Sequence, residues 1–130
     1  MTTSQAKKHI QTYVNGWKAN DAKIILKPLS PNCKIIESHG PIYTGIETIR
    51  KWIEVWLRSE GEVTRWDITS FSFIDAVATF EWTFACEVNK KEYYIEGISV
   101  VHFQNNKISY IREYRTTKST YVWNEKELSE

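Results

Sequence analysis

The sequence lacks the patterns that mark several large classes of enzyme. Its five glycines are scattered, so no phosphate-binding glycine loop occurs. Its three histidines and two cysteines are too far apart for the usual zinc spacing, and it contains no Gly-x-Ser-x-Gly nucleophile elbow. We therefore expect no metal and no nucleotide or other cofactor, and we expect any catalysis to rest on acid–base chemistry.

An excess of one charge and long apolar runs are also missing. The formal net charge is +1 and the basic residues do not cluster, which argues against a nucleic-acid partner. No segment approaches the roughly 20 apolar residues of a membrane span. Residues 1–20 have no apolar core of the signal-peptide type. We therefore expect a cytoplasmic protein that binds neither nucleic acid nor membrane.

Cysteine is scarce, with only Cys33 and Cys86 in the chain. Two cysteines are compatible with one disulfide or with two free thiols. Both lie in apolar, strand-like segments, where a free cysteine behaves as a small hydrophobic residue. Because disulfides are rare in the cytosol, we expect two reduced and buried thiols.

Aromatic residues, by contrast, are abundant. Six Trp, seven Tyr and five Phe occur among 130 residues, while the hydrophobic content of 42% and the charged content of 25% are ordinary for a globular protein. The length suits one domain. So many rings either fill a core or line a pocket. We expect one domain over residues 1–130, with a core from about 4 to 116 and a tail from 117 to 130.

The N-terminal half has helical periodicity. Ile10, Tyr13, Val14 and Trp17 form the stripe of an amphipathic helix from about Ser4 to Ala19. A short second helix follows, capped by Asp21 and ended before Pro28. The segment 33–38 then resembles a strand, followed by a turn at 39–41.

The segment 44–47 predicts the start of a third helix. Thr44 and Glu47 have the spacing of a capping box, in which each side chain bonds the backbone amide of the other residue. Ile46, Ile49 and Ile53 share one face with Trp56, Trp52 lies beside them, and Gly61 is expected to end the helix.

The remainder of the chain is typical of β-structure. Segments rich in β-branched and aromatic residues predict four strands, over 63–74, 77–88, 92–104 and 107–116. Short turns are expected near Asp75, at Asn89-Lys90 and at Asn105-Asn106. Helices followed by a meander favour an α+β fold in which the helices pack on one face of a curved antiparallel sheet.

The order of these elements resembles that of the nuclear transport factor 2-like superfamily, which includes ketosteroid isomerases and SnoaL-like polyketide cyclases. Three stretches carry the resemblance, namely TYVNGWKAND (12–21), NCKIIESHGPIYTGIETIRKW (32–52) and GISVVHFQNNKISYIREY (97–114). The resemblance spans about residues 4–116 and implies a cone-shaped α+β barrel. It implies no single activity, because this fold supports many functions.

Comparison with the ketosteroid isomerases implies roles for three residues. Tyr13 matches their helix tyrosine, which hydrogen-bonds the developing oxyanion, and Glu37 lies at or near their general-base carboxylate. Ser99 falls where they carry an aspartic acid that stays protonated in an apolar site. The loss of that acid argues against steroid isomerisation itself, although a serine can still donate a hydrogen bond.

Each of these residues also has a purely structural interpretation. Tyr13 fits the core side of an amphipathic helix, and Glu37 fits a strand end where a charge reaches the surface. His39 fits a turn residue better than a base, and Ser99 needs no function. The four tryptophans Trp17, Trp52, Trp56 and Trp82 are candidates for the pocket and equally for an ordinary core.

The period-two pattern of the strands predicts which side chains face the cavity. By family analogy they are Tyr93, Ile95, Gly97, Ser99 and Val101 on one strand, Phe80, Trp82, Phe84 and Cys86 on the next, and Ile111, Glu113 and Arg115 on the last. A charge such as that of Glu113 is rarely buried alone, so a place in the pocket implies Arg115 or a ligand as its partner. The alternative is a solvated pair at a strand end.

Two hypotheses remain open from the sequence. The first is a cofactor-independent isomerase, cyclase or related lyase or hydrolase. In it Glu37 removes a proton next to a carbonyl in an apolar small molecule, and Tyr13 stabilises the enolate. The second is a non-catalytic ligand-binding or dimerisation module. The outer sheet face would expose Tyr94, Ile98, Val100 and Tyr110, so we also expect a homodimer paired through that face.

Overall fold

The computed structural model describes residues 1–127, which form three helices and seven strands. The helices are α1 (Thr3–Ala19), α2 (Ala22–Leu26) and α3 (Ile46–Arg58). The strands are β1 (Leu29–Ile36), β2 (Ile42–Thr44), β3 (Glu62–Ile68), β4 (Ser72–Ile74), β5 (Val77–Val88), β6 (Lys91–Gln104) and β7 (Lys107–Arg115). Residues 128–130 of the predicted tail lie outside the described part. The predicted order of helices and then strands is confirmed, with β1 and β2 placed between the helices.

The first two helices lie where the sequence places them. Thr2 caps α1, since its hydroxyl accepts from the Gln5 amide at 3.2 Å while Gln5 Oε1 accepts from the Thr2 amide at 2.8 Å. The apolar stripe of α1 is buried, including Tyr13 and Trp17. Asp21 caps α2 by accepting from the Ile24 amide at 3.2 Å.

The predicted capping box of the third helix is wrong. Gly45 is the N-cap of α3, with φ of 87°, and no side chain caps this end. Thr44 is instead the last residue of β2, because it pairs with Lys34 of β1 and keeps an extended backbone. The residue that leaves the helical conformation also differs from the prediction. The helix ends at Arg58, and Glu60 rather than Gly61 takes the left-handed conformation, with φ of 55°.

The sheet has the strand order β2-β1-β7-β6-β5-β3, and β4 pairs with β5 beside β3. It is mixed rather than purely antiparallel, because β1 runs parallel to β7. The predicted strand 63–74 is two strands. The chain leaves the sheet between them at Ser70, whose hydroxyl donates to Glu81 of β5 at 2.8 Å. Helices on one face of a curved sheet confirm the α+β cone predicted from the sequence.

Three two-residue turns join the long strands of the meander. Both central residues of each turn have positive φ, the type I′ geometry that matches the right-handed twist of a hairpin. The turns are Asp75-Ala76, Asn89-Lys90 and Asn105-Asn106. All three predicted turn positions are confirmed.

The core lies between the helices and the concave face of the sheet. Ile49 and Ile53 of α3 are fully buried there. Cys33 and Cys86 are buried free thiols, as expected, and burial raises the pKa of Cys33 to about 12. Among residues 1–127, no helix is long and apolar enough to cross a membrane.

Ser99 belongs to this core. It is 1% exposed, and its hydroxyl accepts a hydrogen bond from the Trp82 indole nitrogen at 2.8 Å. The neighbouring Gly97 leaves room for the same indole, since a Cβ at Gly97 would lie 2.5 Å from the Trp82 ring. Ser99 and Gly97 therefore position Trp82 on the concave face.

We expect Ser99→Ala to lower the free energy of unfolding by about 1–3 kcal/mol, because it leaves a buried indole N–H without an acceptor. Urea unfolding measures the change. Ser109→Ala is the matched control, because Ser109 donates its bond to the His102 carbonyl at an exposed position, and it should stay within about 0.5 kcal/mol of the native protein. Equal unfolding midpoints for the two variants would show that the hydrogen bond to Ser99 does not contribute to the free energy of unfolding.

Candidate functional site

A cavity of about 600 Å³ opens between α1, α3 and the concave face of the sheet. Aromatic rings make most of its wall, and four acidic or basic side chains lie among them, those of Glu37, His39, Glu113 and Arg115. The lining residues are Tyr13, Trp17, Glu37, Ser38, His39, Tyr43, Trp52, Trp56, Val63, Trp66, Trp82, Phe84, Cys86, Val88, Tyr93, Ile95, Glu113 and Arg115. A concave, largely apolar site with a few polar groups is the usual form of a small-molecule site.

The helices contribute one continuous aromatic wall. Trp17 of α1 lies 4.8 Å from Trp52 and 6.0 Å from Trp56 of α3, measured between ring centroids. Tyr43 of β2 stacks on Trp52 at 4.2 Å, with the two rings 10° from parallel. Since α3 starts directly after β2, this stacking follows from the short connection at Gly45.

The sheet contributes the opposite wall. Trp66 of β3 lies 6.5 Å from Trp82 and 5.3 Å from Phe84 of β5, in edge-to-face contacts. Trp82 and Trp56 donate their indole N–H groups to other residues. The buried indole nitrogens of Trp17 and Trp66 find no acceptor within residues 1–127.

Glu37 follows the end of β1, where its carboxylate lines the cavity and its side chain is 21% exposed. The tight turn to β2 brings Tyr43 beside it, and the Tyr43 hydroxyl donates to Glu37 Oε1 at 2.7 Å. His39 Nε2 lies 3.9 Å from the same oxygen. Burial, followed by the bond to Glu37, raises the pKa of Tyr43, so this hydroxyl remains a donor.

Glu113 of β7 is the second carboxyl group of the cavity. Burial raises its pKa to about 8, and the negative charge of Glu37 adds to the effect. Among the described residues, Glu113 has no hydrogen-bond partner and no ion pair, and Arg115 does not reach it. Part of its surface stays accessible from the cavity that it lines. Burial and the nearby negative charge therefore both favour the neutral acid form of Glu113.

Tyr13 stands on α1 between the two walls. Its ring lies 6.3 Å from Trp17 and 6.1 Å from Trp66. Burial first, and then the nearby Glu113, raise the pKa of the Tyr13 hydroxyl well above its usual range. Trp17 adds a weak contact to this hydroxyl, outside hydrogen-bond geometry. Tyr13 and Glu113 both line the cavity.

Of the nine site residues predicted from the sequence, eight line this cavity, and Ser99 does not. Trp82 covers Ser99, so the prediction that Ser99 lines the pocket is wrong. It nevertheless pairs directly with Glu113 across β6 and β7. A carboxylic acid is therefore present one strand away from the position that the ketosteroid isomerase comparison assigned.

Five lining residues were not predicted from the sequence, namely Ser38, Tyr43, Val63, Trp66 and Val88. Tyr43 lies in a three-residue strand too short to show a pattern, although its spacing from Glu37 across a turn was a usable signal. Trp66 lies on the same face of β3 as Ile68, but no sequence pattern assigned it to the site. Within residues 1–127, no group of three or more His, Cys, Asp or Glu side chains is arranged to hold a metal ion.

Comparison with solved structures shows how widely this architecture occurs. An LEH-like epoxide hydrolase of M. tuberculosis has a TM-score of 0.78 at 13% identity, over 88% of this chain and 84% of that one. A Catenulispora acidiphila protein of ketosteroid isomerase-like fold, in complex with trimethylamine, has a TM-score of 0.70 at 13% identity, over 84% and 85%. TerC, co-crystallized with polyporic acid, has a TM-score of 0.73 at 10% identity, over 87% and 92%.

Identities this low establish the fold and leave the chemistry open. No functionally curated protein matches the sequence significantly. The family model of the SnoaL-like domain matches residues 10–111, which include most of α1, all of α3, the β1–β2 turn and most of the sheet. The chain therefore belongs to the SnoaL-like domain family.

Proposed function

We propose that this protein binds a small, mostly apolar carbonyl compound and moves a proton next to its carbonyl group, as a cofactor-independent enzyme of the isomerase or cyclase type. One observation carries the proposal. Glu113, whose pKa is raised by burial, and a second carboxyl, Glu37, share one aromatic cavity. Pairs of titratable groups whose surroundings separate their pKa values are typical of acid–base sites.

Glu37 is the proposed general base. The Tyr43 hydroxyl fixes one carboxylate oxygen and leaves the other without a hydrogen bond among the described residues. In the proposed step this carboxylate takes a proton from the carbon next to the substrate carbonyl. The electron pair of the broken C–H bond moves into the carbonyl group and gives an enolate. Return of the proton to another carbon completes an isomerisation.

Glu113 and Tyr13 are the proposed donors to the enolate oxygen. Burial raises the pKa of both groups, which favours their protonated forms, and both side chains line the cavity. Donors placed where negative charge develops stabilise the transition state most in a site that excludes water. Glu113 thus has the role that the family comparison assigned to the position of Ser99.

The walls of the cavity favour flat, apolar ligands. The stacked rings of Trp17, Trp52 and Tyr43 present aromatic faces, and the polar groups are few. Proteins of the same fold were crystallised with small molecules, TerC with polyporic acid and the C. acidiphila protein with trimethylamine. These precedents support small-molecule binding at this site as part of the proposal.

The exchange of protons next to a carbonyl tests the base directly. With 2-tetralone in heavy water, the native protein should accelerate deuterium uptake at the α-carbon, as followed by NMR. Glu37→Gln keeps the shape but cannot accept the proton, so the exchange rate should fall by about 10²–10⁴-fold.

Glu47→Gln is the matched control, because Glu47 lies at the start of α3, 76% exposed and outside the cavity. It should leave the exchange rate unchanged. An unchanged rate in Glu37→Gln would remove Glu37 as the base. No acceleration by the native protein, combined with binding of the ketone, would leave a ligand-binding module.

We also propose that the protein is a homodimer paired through the outer face of β6 and β7. Tyr94 and Tyr114 are 55% and 49% exposed on that face, and Ile98 stands directly across from Tyr114. A second copy would bury these apolar side chains.

Light scattering tests the dimer. At micromolar concentration the protein should have twice the 15.3 kDa monomer mass, and Ile98→Lys should shift it to monomer by placing a charge in the apolar patch. Ile74→Lys, at a 70% exposed position on β4 outside the patch, should leave the mass unchanged. A monomer mass for the native protein would refute the proposed pairing.

A further inference from the structure

Asn20 links three parts of the fold at one end of the aromatic wall. It follows α1 in the left-handed conformation, with φ of 51° and ψ of 43°, which asparagine tolerates better than most residues. Its side-chain oxygen accepts from the Trp56 indole nitrogen at 3.0 Å. Its side-chain nitrogen donates to the Gly61 carbonyl at 2.9 Å. One amide group thus joins the end of α1 to α3 and to the residue before β3.

Gly61 holds the same indole from another side. A Cβ at this position would lie 2.5 Å from the Trp56 ring, so the ring rests directly on the Gly61 backbone. The indole of Trp56 is therefore fixed at its N–H by Asn20 and over its ring by Gly61. Neither contact involves a residue of the proposed chemistry.

The fixed indole is one end of the cavity wall. Trp56 contacts Trp17 edge-on, and Trp17 contacts Trp52, which stacks on Tyr43. Asn20 also reaches this wall through its backbone, because its amide donates to the Trp17 carbonyl at 3.2 Å. Asn20 therefore bonds the indole of Trp56 and the backbone of Trp17, two of the three tryptophans that the helices place in the cavity.

We propose that Asn20 is a positioning residue that selects ligand shape, because it holds Trp56 in the aromatic wall and so restricts the cavity to flat ring compounds. The inference rests on the proposed function only in that the cavity binds a small apolar ligand. Without the amide, the Trp56 side chain is free to change rotamer, and the wall opens at this end. A rounder ligand then fits, while a flat one loses part of its stacking surface.

Two substitutions separate the amide group from the backbone conformation. Asn20→Gly keeps the left-handed conformation, which glycine adopts readily, and removes both side-chain bonds. Asn20→Asp keeps an acceptor oxygen for the indole and loses the donor to Gly61. Asn105→Gly is the matched control, since Asn105 has φ of 50° in the β6–β7 turn and lies outside the cavity.

The probes are 2-naphthol, which is flat, and 1-adamantanol, which is globular. Each carries a single hydroxyl, and the two have the same number of carbon atoms. Equilibrium dialysis gives the ratio of their dissociation constants. The native protein should prefer 2-naphthol. Asn20→Gly should lower this preference by about 3- to 10-fold, the effect of one lost neutral hydrogen bond. Asn20→Asp should retain most of the preference, and Asn105→Gly should retain all of it.

The indole N–H resonance of Trp56 reports the contact independently of ligand binding. It should exchange with solvent faster in Asn20→Gly than in the native protein and stay protected in Asn20→Asp. Faster exchange with an unchanged preference would overturn the role of Asn20 and leave the ligand cavity intact. Failure of the native protein to bind either probe would overturn the cavity proposal and this inference together.

Discussion

The partial removal of Glu113 from bulk water depends on the whole architecture, and it raises the pKa of this carboxyl. β7 carries this side chain onto the concave face, and the aromatic residues of α1, α3 and β3 close the space around it. The parallel pairing of β1 with β7 adds the Glu37 carboxylate to the same cavity. Burial and the neighbouring negative charge both favour the neutral form of Glu113.

The aromatic residues connect this site to the scaffold. A continuous series of contacts runs from Asn20 through Trp56, Trp17 and Trp52 to Tyr43, which bonds Glu37. Each ring has a defined neighbour, so the position of the proposed base depends on packing as well as on its own hydrogen bond. Sites whose supporting residues are locked in this way hold their geometry most accurately.

Local sequence patterns predicted much of the fold. The stripe of α1 and the alternation along β5 and β6 depend on a fixed helical or strand period, so most cavity-facing side chains could be named in advance. The parallel β1–β7 pairing depends on how distant segments meet, which no local pattern encodes. The capping box at Thr44 failed for the same reason, because pairing with Lys34 holds this residue in a strand. The family comparison placed the acid of the ketosteroid isomerases at the position of Ser99, whereas the acid of this cavity is Glu113, the residue paired with Ser99 across β6 and β7.

The protonation state of Glu113 is the most direct test of the proposed chemistry. Carbon-13 NMR of protein labelled at the glutamate carboxyl carbons follows each group through a pH titration, and Glu113→Gln identifies its signal. We expect the Glu113 carboxyl to remain mainly protonated at pH 7 and to titrate near its pKa of about 8. A Glu113 signal that is already that of a carboxylate at pH 6 would contradict the neutral acid and, with it, the proposed donor to the enolate oxygen.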